Sequence, residues 1–445
     1  MSSNDVDQTH FSAPAAARMQ GDRKFVFAHF MVGNTFPYSI NDWAQDVEMA
    51  AAHEIDGFAL NIGREDWQKQ RVADCFEAVT RSSAATSFKL FFSFDMSSFP
   101  GNSPDDINYL LDYMRSFGHH PCMHRQDGKV LVSTFSGENA LFGRPSLEDG
   151  WNHVKAEFNS IVPTCFMPSF FIDPARYKGM PFLDGVFNWN GGWPIYLNPS
   201  MPRQEIEHFK LDTDFVHISN LGIRSFMAAV SPWFFTHYGP DTWNKNWIYR
   251  ADDWLYVRRW KQLIELRNRI DIAQIITWND YGESHYIGPI HGAQPNSQAW
   301  VDGFDHHPWL QMTKYFAHAF KYGEYPAITE DRIFMWARPH PKGANAPEHV
   351  PRPNNWELTD DVFWVVVFAK APGVVNLSTT PADLETHNVA PGVSTFKHAL
   401  KPGEGMKAVL HRGNNRTVGV CHPSQFRFEP NPAVYNFNAF TAAWP

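Results

Sequence analysis

The stretch Ile275-Ile-Thr-Trp-Asn-Asp-Tyr-Gly-Glu-Ser-His-Tyr-Ile-Gly-Pro289 decides how the rest of the chain is read. It opens on aliphatic and β-branched residues, the composition of a strand buried on both faces. It then turns polar and aromatic. Asp280 and Glu283 stand three residues apart among Trp278, Asn279, Tyr281 and His285, with Gly282 between them. In a parallel α/β protein, ligands and chemistry gather at the C-terminal ends of strands. A carboxylate pair placed there among aromatic rings is equipment for cutting a glycosidic bond.

Working outward, the same texture recurs. Short apolar runs at 24–33, 57–63, 89–96, 129–135, 162–170, 185–189, 225–230 and 272–278 alternate, for the most part, with segments of helical periodicity. Eight such runs predict a (β/α)8 TIM-like barrel over residues 23–324. A doubly wound open sheet is the alternative, weakened because no G-x-G-x-x-G follows the first run and no P-loop is present. Past 325 the helical periodicity ends, and Pro339, Pro341, Pro347, Pro351 and Pro353 mark an irregular connection. Strand-like runs at 361–368, 374–378, 406–410 and 425–428, divided by Gly and Pro, predict a small antiparallel β-sandwich over 325–445. Residues 1–22 are polar and Ala-rich without periodicity and are expected to be a disordered lead.

Composition narrows the function. Of 445 residues, 43% are apolar and 19% charged, enough for a large core. A formal charge of −9 argues against a phosphate-backbone ligand, so no nucleic-acid partner is expected. Aromatic residues make up 15%, with 17 Trp, a surplus that suits stacking on the apolar faces of sugar rings. Cys75, Cys122, Cys165 and Cys421 form no C-x-x-C pair and read as buried free thiols. No run approaches the roughly 18 apolar residues of a membrane span, and the first residues lack the charged and apolar regions of a signal peptide. The chain as given is therefore expected to act inside the cell or at the cell wall, or outside it if a leader was omitted. A monomer is expected.

The strand ends deliver the candidate side chains: Asn34, Asn61, Asp95, Asn188 and, at the last, Asp280 and Glu283. The four earlier ones are assigned to sugar hydroxyls. Trp189, Trp233 and Tyr281 are assigned as sugar platforms, although one of Trp189, Trp193 and Trp233 is expected in the core. His285 is placed to orient a carboxylate, while His29, inside a strand, reads as an interior histidine. Each acid also has a plainer reading as a helix cap or an arginine partner. What favours chemistry is that two carboxylates sharing a cleft split their pKa values into one acid and one base. The pairs His119-His120 and His306-His307 lack the H-E-x-x-H spacing, so no metal and no cofactor is expected.

The motifs His29-Phe-Met-Val-Gly-Asn-Thr35, Phe58-Ala-Leu-Asn-Ile-Gly63, Lys89-Leu-Phe-Phe-Ser-Phe-Asp-Met96, Val132-Ser-Thr-Phe135 and Thr277-Trp-Asn-Asp-Tyr-Gly-Glu-Ser-His-Tyr-Ile-Gly288 together resemble glycoside hydrolase family 71, the fungal α-1,3-glucanases or mutanases. The resemblance implies a barrel with an accessory β-domain. It also implies an inverting, endo-type cut of α-1,3-glucan without a metal, with Asp280 and Glu283 as the acidic pair. Glu283 is assigned as acid and Asp280 as base. Two other functions compete: a catalytically silent, lectin-like glucan-binding barrel, and a hydrolase or transglycosylase for another α-glucan linkage.

Overall fold

The computed structural model describes residues 23–414 and 416–445; the lead at 1–22 lies outside them. The fold is mixed α/β. Eight parallel strands curl into one sheet: β1 (Phe25–Met31), β2 (Gly57–Ile62), β3 (Lys89–Asp95), β4 (Lys129–Phe135), β5 (Thr164–Phe166), β6 (Gly185–Asn188), β7 (Ser225–Val230) and β8 (Ile272–Ile275). Their order is β5-β4-β3-β2-β1-β8-β7-β6, and the short strand Arg125–Gln126 pairs antiparallel with β4. The first and last strands are thus neighbours, with Phe25 opposite Ile272 and Ala28 opposite Ile275. Between β5 and β6 there is no ladder, but two backbone bonds cross the gap, Asp184 N–H to the Phe166 carbonyl (3.0 Å) and Phe187 N–H to the Pro168 carbonyl (2.9 Å). Helices Ile40–Ala52, Gln68–Arg81, Ile107–Phe117, Leu147–Ile161, Thr213–Leu221 and Leu255–Glu265 connect the strands, several entered through Ser or Asp caps. The fifth connection is a single turn at Pro174–Gly179 rather than a full helix.

The strands are apolar throughout because both faces are covered. Val26, Phe27, Ala28 and Phe30 of β1 are all buried, as is every residue of β2. Strand β8 ends at Ile275, three residues before the predicted end.

Beyond helix His307–Tyr322 come two four-stranded antiparallel sheets. One orders Gly392–Ala399, Val362–Ala369, Arg332–Ala337 and Phe440–Trp444; the other orders Glu385–Val389, Gly373–Ser378, Lys407–Arg412 and Arg416–Cys421. Alternation on the first explains its continuous apolar runs. Ile333, Met335, Val365 and Val367 join a core shared with the second sheet, while Phe334, Trp336, Trp364 and Val366 join the larger core of the parallel sheet. Helix His307–Tyr322 lies on that outer face, with Trp309 6.0 Å from Trp336 and Tyr315 4.8 Å from Phe368 between ring centroids.

Among the described residues, no helix is long and apolar enough to cross a membrane.

Candidate active site

After β8 the chain keeps running beside β1. Trp278 N–H donates to the His29 carbonyl (2.7 Å). The Asn279 side chain then imitates a strand residue, accepting from Met31 N–H (2.7 Å) and donating to the Met31 carbonyl (3.1 Å). Asn34 Nδ2 donates to the Asn279 carbonyl (2.9 Å), so the end of β1 clamps the next turn. The chain folds back on itself at once: Thr277 N–H donates to the His285 carbonyl (2.9 Å) and Ile287 N–H to the Thr277 carbonyl (3.0 Å). Asp280 and Glu283 sit on the loop this closes. Glu283 N–H donates to Asp280 Oδ1 (3.2 Å) and Phe235 N–H to the Glu283 carbonyl (3.1 Å). Gly282 admits no side chain, because a Cβ there would lie 2.2 Å from Tyr238 Oη. The turn carrying both acids is therefore held from three directions, a preorganisation that positions reacting groups before substrate arrives.

One carboxylate oxygen from each acid and one nitrogen of His285 lie within 4.8 Å of one another. His285 Nε2 is 3.0 Å from Glu283 Oε2, and its Nδ1 is 3.1 Å from Thr277 Oγ1. Thr277 Oγ1 also accepts from Asp280 N–H (2.8 Å), so the threonine hydroxyl and Glu283 between them hold both ring nitrogens of His285. Lys245 Nζ stands 3.2 Å from Glu283 Oε1 on the other side. It comes from the turn of a hairpin in which Phe235–His237 pairs with Asn246–Ile248.

This asymmetry separates the two acids. Burial, and next the charge of Glu283, push the Asp280 carboxyl up to about 6. Burial also works to raise Glu283, but the hydrogen bond from His285 and the charge of Lys245 outweigh it and hold that carboxyl at about 2. The two shifts point in opposite directions, Asp280 toward its protonated form and Glu283 toward its ionised one, whereas the sequence reading assigned Glu283 as acid and Asp280 as base. One of the two groups that lower Glu283, His285, lies in the same motif, while the other, Lys245, lies 38 residues away and could not be placed there from sequence. Asp280, Glu283 and His285 are also the one group among the described residues whose donor atoms are spaced to hold a metal ion. Lys245 already supplies a positive charge at that point.

The other predicted residues divide. Trp189 lies beside the site, its ring 4.8 Å from His29 and 6.5 Å from His285. Asp95 accepts from Ser97 and lies near enough to Lys245 to feel its charge. Asn61 is buried at the end of β2, in register with Met31 and Ser93. Three assignments need correcting. Trp233 is wholly buried, donates to the Phe437 carbonyl (2.8 Å) and carries the Arg338 guanidinium over its ring, so it joins the parallel sheet to the C-terminal sheets instead of facing a sugar. Tyr281 is also buried. Its hydroxyl donates to Pro289 and accepts from His291 and Gly292 N–H, bracing the loop. Asn188 spends its amide on Thr213 (3.1 Å) and Asp214 (2.8 Å).

The model of the family described as "Glycosyl hydrolase family 71" matches residues 22–445. The chain belongs to that family. Family 71 relatives of this chain include the glucan endo-1,3-alpha-glucosidase agn1 of Schizosaccharomyces pombe, 34% identical over 94% of each chain. The ascus wall endo-1,3-alpha-glucanase of the same yeast is 31% identical over 84% of this chain and 85% of its own. A mutanase of Penicillium rubens, Pc12g07500, is 32% identical over 95% and 89%.

Two residues of this family 71 member escaped the reading of its sequence. Lys245 is one. The other is Trp243, 52% exposed on the same hairpin turn and set edge-on to Tyr238 at 4.6 Å, while Tyr238 in turn touches the loop of the acids. Both lie in Gly239-Pro-Asp-Thr-Trp-Asn-Lys-Asn246, whose polar setting is the signal that its aromatic residue is exposed.

Proposed function

We propose that this glycoside hydrolase cuts α-1,3-glucosidic bonds within fungal cell-wall α-1,3-glucan, with Asp280 as general acid and Glu283 as its ionised partner. The observation that carries the assignment is the pair itself: two carboxylates in one loop, of which Glu283 alone contacts Lys245 and His285. Family membership and the names of three relatives support the polymer and its linkage. We read the parallel sheet as a (β/α)8 barrel spanning 23–324, joined across β5 and β6 by the two backbone bonds. We read 325–445 as a β-sandwich domain, and the working site as the cell wall, where the substrate lies.

In this mechanism Asp280 gives its proton to the glycosidic oxygen as the C1–O bond breaks, and positive charge develops on the sugar ring. Glu283 then acts in one of two ways. In single displacement, which the family resemblance implies, it takes a proton from a water that attacks C1. Inverting pairs stand roughly 6.5–9.5 Å apart to hold that water, and retaining pairs about 5–5.5 Å. In the second route Glu283 attacks C1 directly and the glycosyl-enzyme is hydrolysed afterwards. Single displacement leaves the proton on Glu283, and it returns to Asp280 by exchange with solvent before the next cycle; in the second route Asp280 takes its proton back from the water that hydrolyses the glycosyl-enzyme.

A panel of 1,3-, 1,4- and 1,6-linked α-glucans, assayed for new reducing ends and product size, tests the proposal. Internal cleavage of the 1,3-linked polymer alone supports it. Retention of glucan without new reducing ends indicates a lectin, and preference for another linkage replaces the substrate. The anomer first released, followed by NMR, separates the two routes.

A further inference from the structure

On the hairpin that also carries Lys245, a groove of about 540 Å³ runs between Trp247 and the segment 352–357. Trp247, Trp356, Arg352, Asn354, Asn355 and Glu357 line it. Its size falls within the roughly 300–1,000 Å³ of small-molecule sites. We propose that this groove is an extended subsite, holding glucosyl residues of the polymer beyond the bond that is cut. The inference rests on the glucanase reading above and adds to it where the chain lies.

Three observations carry it. The first is continuity with the acids. Trp247 follows Lys245 by two positions, in the strand Asn246–Ile248 that leaves the turn carrying the lysine. The rings also connect: His285 is 5.7 Å from Phe234, and Phe234 stacks on Trp247 at 5.7 Å. A chain leaving the acids on this side meets the groove next.

The second is rigidity. Trp247 is bridged to Asn354, with Ile248 N–H donating to the Asn354 carbonyl (3.0 Å) and Asn354 N–H to the Asn246 carbonyl (3.0 Å). Asn355 Nδ2 reaches the Ile248 carbonyl (3.2 Å). Arg352 lies over Trp356 at 4.4 Å while its Nη2 donates to the Ala344 carbonyl (2.8 Å) and Asn345 Oδ1 (2.8 Å). The groove is formed before ligand arrives, so little ordering cost opposes binding.

The third is chemistry. One guanidinium and one carboxylate balance in charge, which selects against ions of either sign. Two indoles, two amides and two prolines, Pro199 and Pro353, offer flat apolar surface beside hydrogen-bonding groups. A neutral polyhydroxylated ring with an apolar face matches that mixture.

The test compares the parent protein with Trp356→Ala, Trp247→Ala and Trp356→Phe on α-1,3-glucooligosaccharides of increasing length. We expect each alanine variant to lose about tenfold more kcat/KM on long chains than on the shortest chain cut, with phenylalanine restoring most of the difference. An equal loss at every length means the indoles merely support the loop, and no loss means the groove stays empty; either result overturns the proposal. If the parent cuts no α-1,3-linked chain, the glucanase reading has failed separately. Calorimetric binding of the same oligosaccharides to Glu283→Gln protein then decides the groove alone. Affinity that rises with length and falls with Trp356→Ala supports it, and affinity indifferent to either overturns it.

Discussion

At the scale of single residues, the proposed function comes down to two acids made unequal by their neighbours. Asp280→Asn removes the proton donor and Glu283→Gln the ionised partner. Each is expected to lower kcat by about 10²–10⁴ with the fold intact, read by reducing-sugar assay and circular dichroism. The wild-type pH profile of kcat/KM should be a bell, failing above about 6 as Asp280 loses its proton and below about 2 as Glu283 gains one. Lys245 lowers both values, so Lys245→Met should move both limbs to higher pH, the acidic one further. The groups facing Glu283 are Lys245, His285 and Asp280, with Tyr238, Tyr249 and His29 near enough to feel its charge. An unmoved profile would show that the lysine does not set the pair. The location of the acids could be read from the chain, because an apolar strand ending in carboxylates and rings has few other uses. Their polarity could not, since it depends in part on a lysine brought in by another loop.

At the scale of elements, strand and helix positions followed from alternation, because buried parallel strands must be apolar throughout and amphipathic helices must not be. What alternation does not encode is which element covers which. Trp233 illustrates this. Its place after Pro232 at the end of an apolar run suggests a loop facing solvent, yet the C-terminal sheets close over it, and Trp309 lies 5.9 Å away. Arg338 stacks above it while donating to buried Asp252 (2.7 Å), and Asp252 also pairs with Arg250. Trp233→Ala should therefore act as a core deletion, costing about 3–5 kcal/mol in denaturant unfolding. Trp243→Ala, on the exposed turn, should leave the unfolding midpoint near its wild-type value and raise KM for glucan. If the two variants exchange these signatures, their placements are wrong.

At the scale of the whole molecule, the composition change near 325 marks a boundary in pattern more than in packing. Phe334, Trp336, Trp364, Phe368, Tyr435 and Phe437 all belong to the same buried cluster as the parallel sheet. Polar ties reinforce it: His306 Nε2 meets the Ala439 carbonyl (3.0 Å), Asn438 Nδ2 donates to the Trp300 carbonyl (2.9 Å) and Thr441 Oγ1 to the Asp305 carbonyl (2.6 Å). The sequence shows where β-texture begins, but it cannot show that this sheet buries both faces, since an isolated sandwich would also read as apolar alternation. Ending the chain at 324 would uncover Trp233, Trp309 and Tyr315 together, an apolar patch that a monomer does not carry in water. The fragment 1–324 is accordingly expected to aggregate or to unfold without cooperativity, even though it holds both acids. Soluble yield and the thermal transition, set beside the full chain, check this. A soluble, cooperatively folding fragment that still cuts glucan would show that the sheets beyond 325 are dispensable, and that the contacts of Trp233 and helix His307–Tyr322 contribute little to holding the site together.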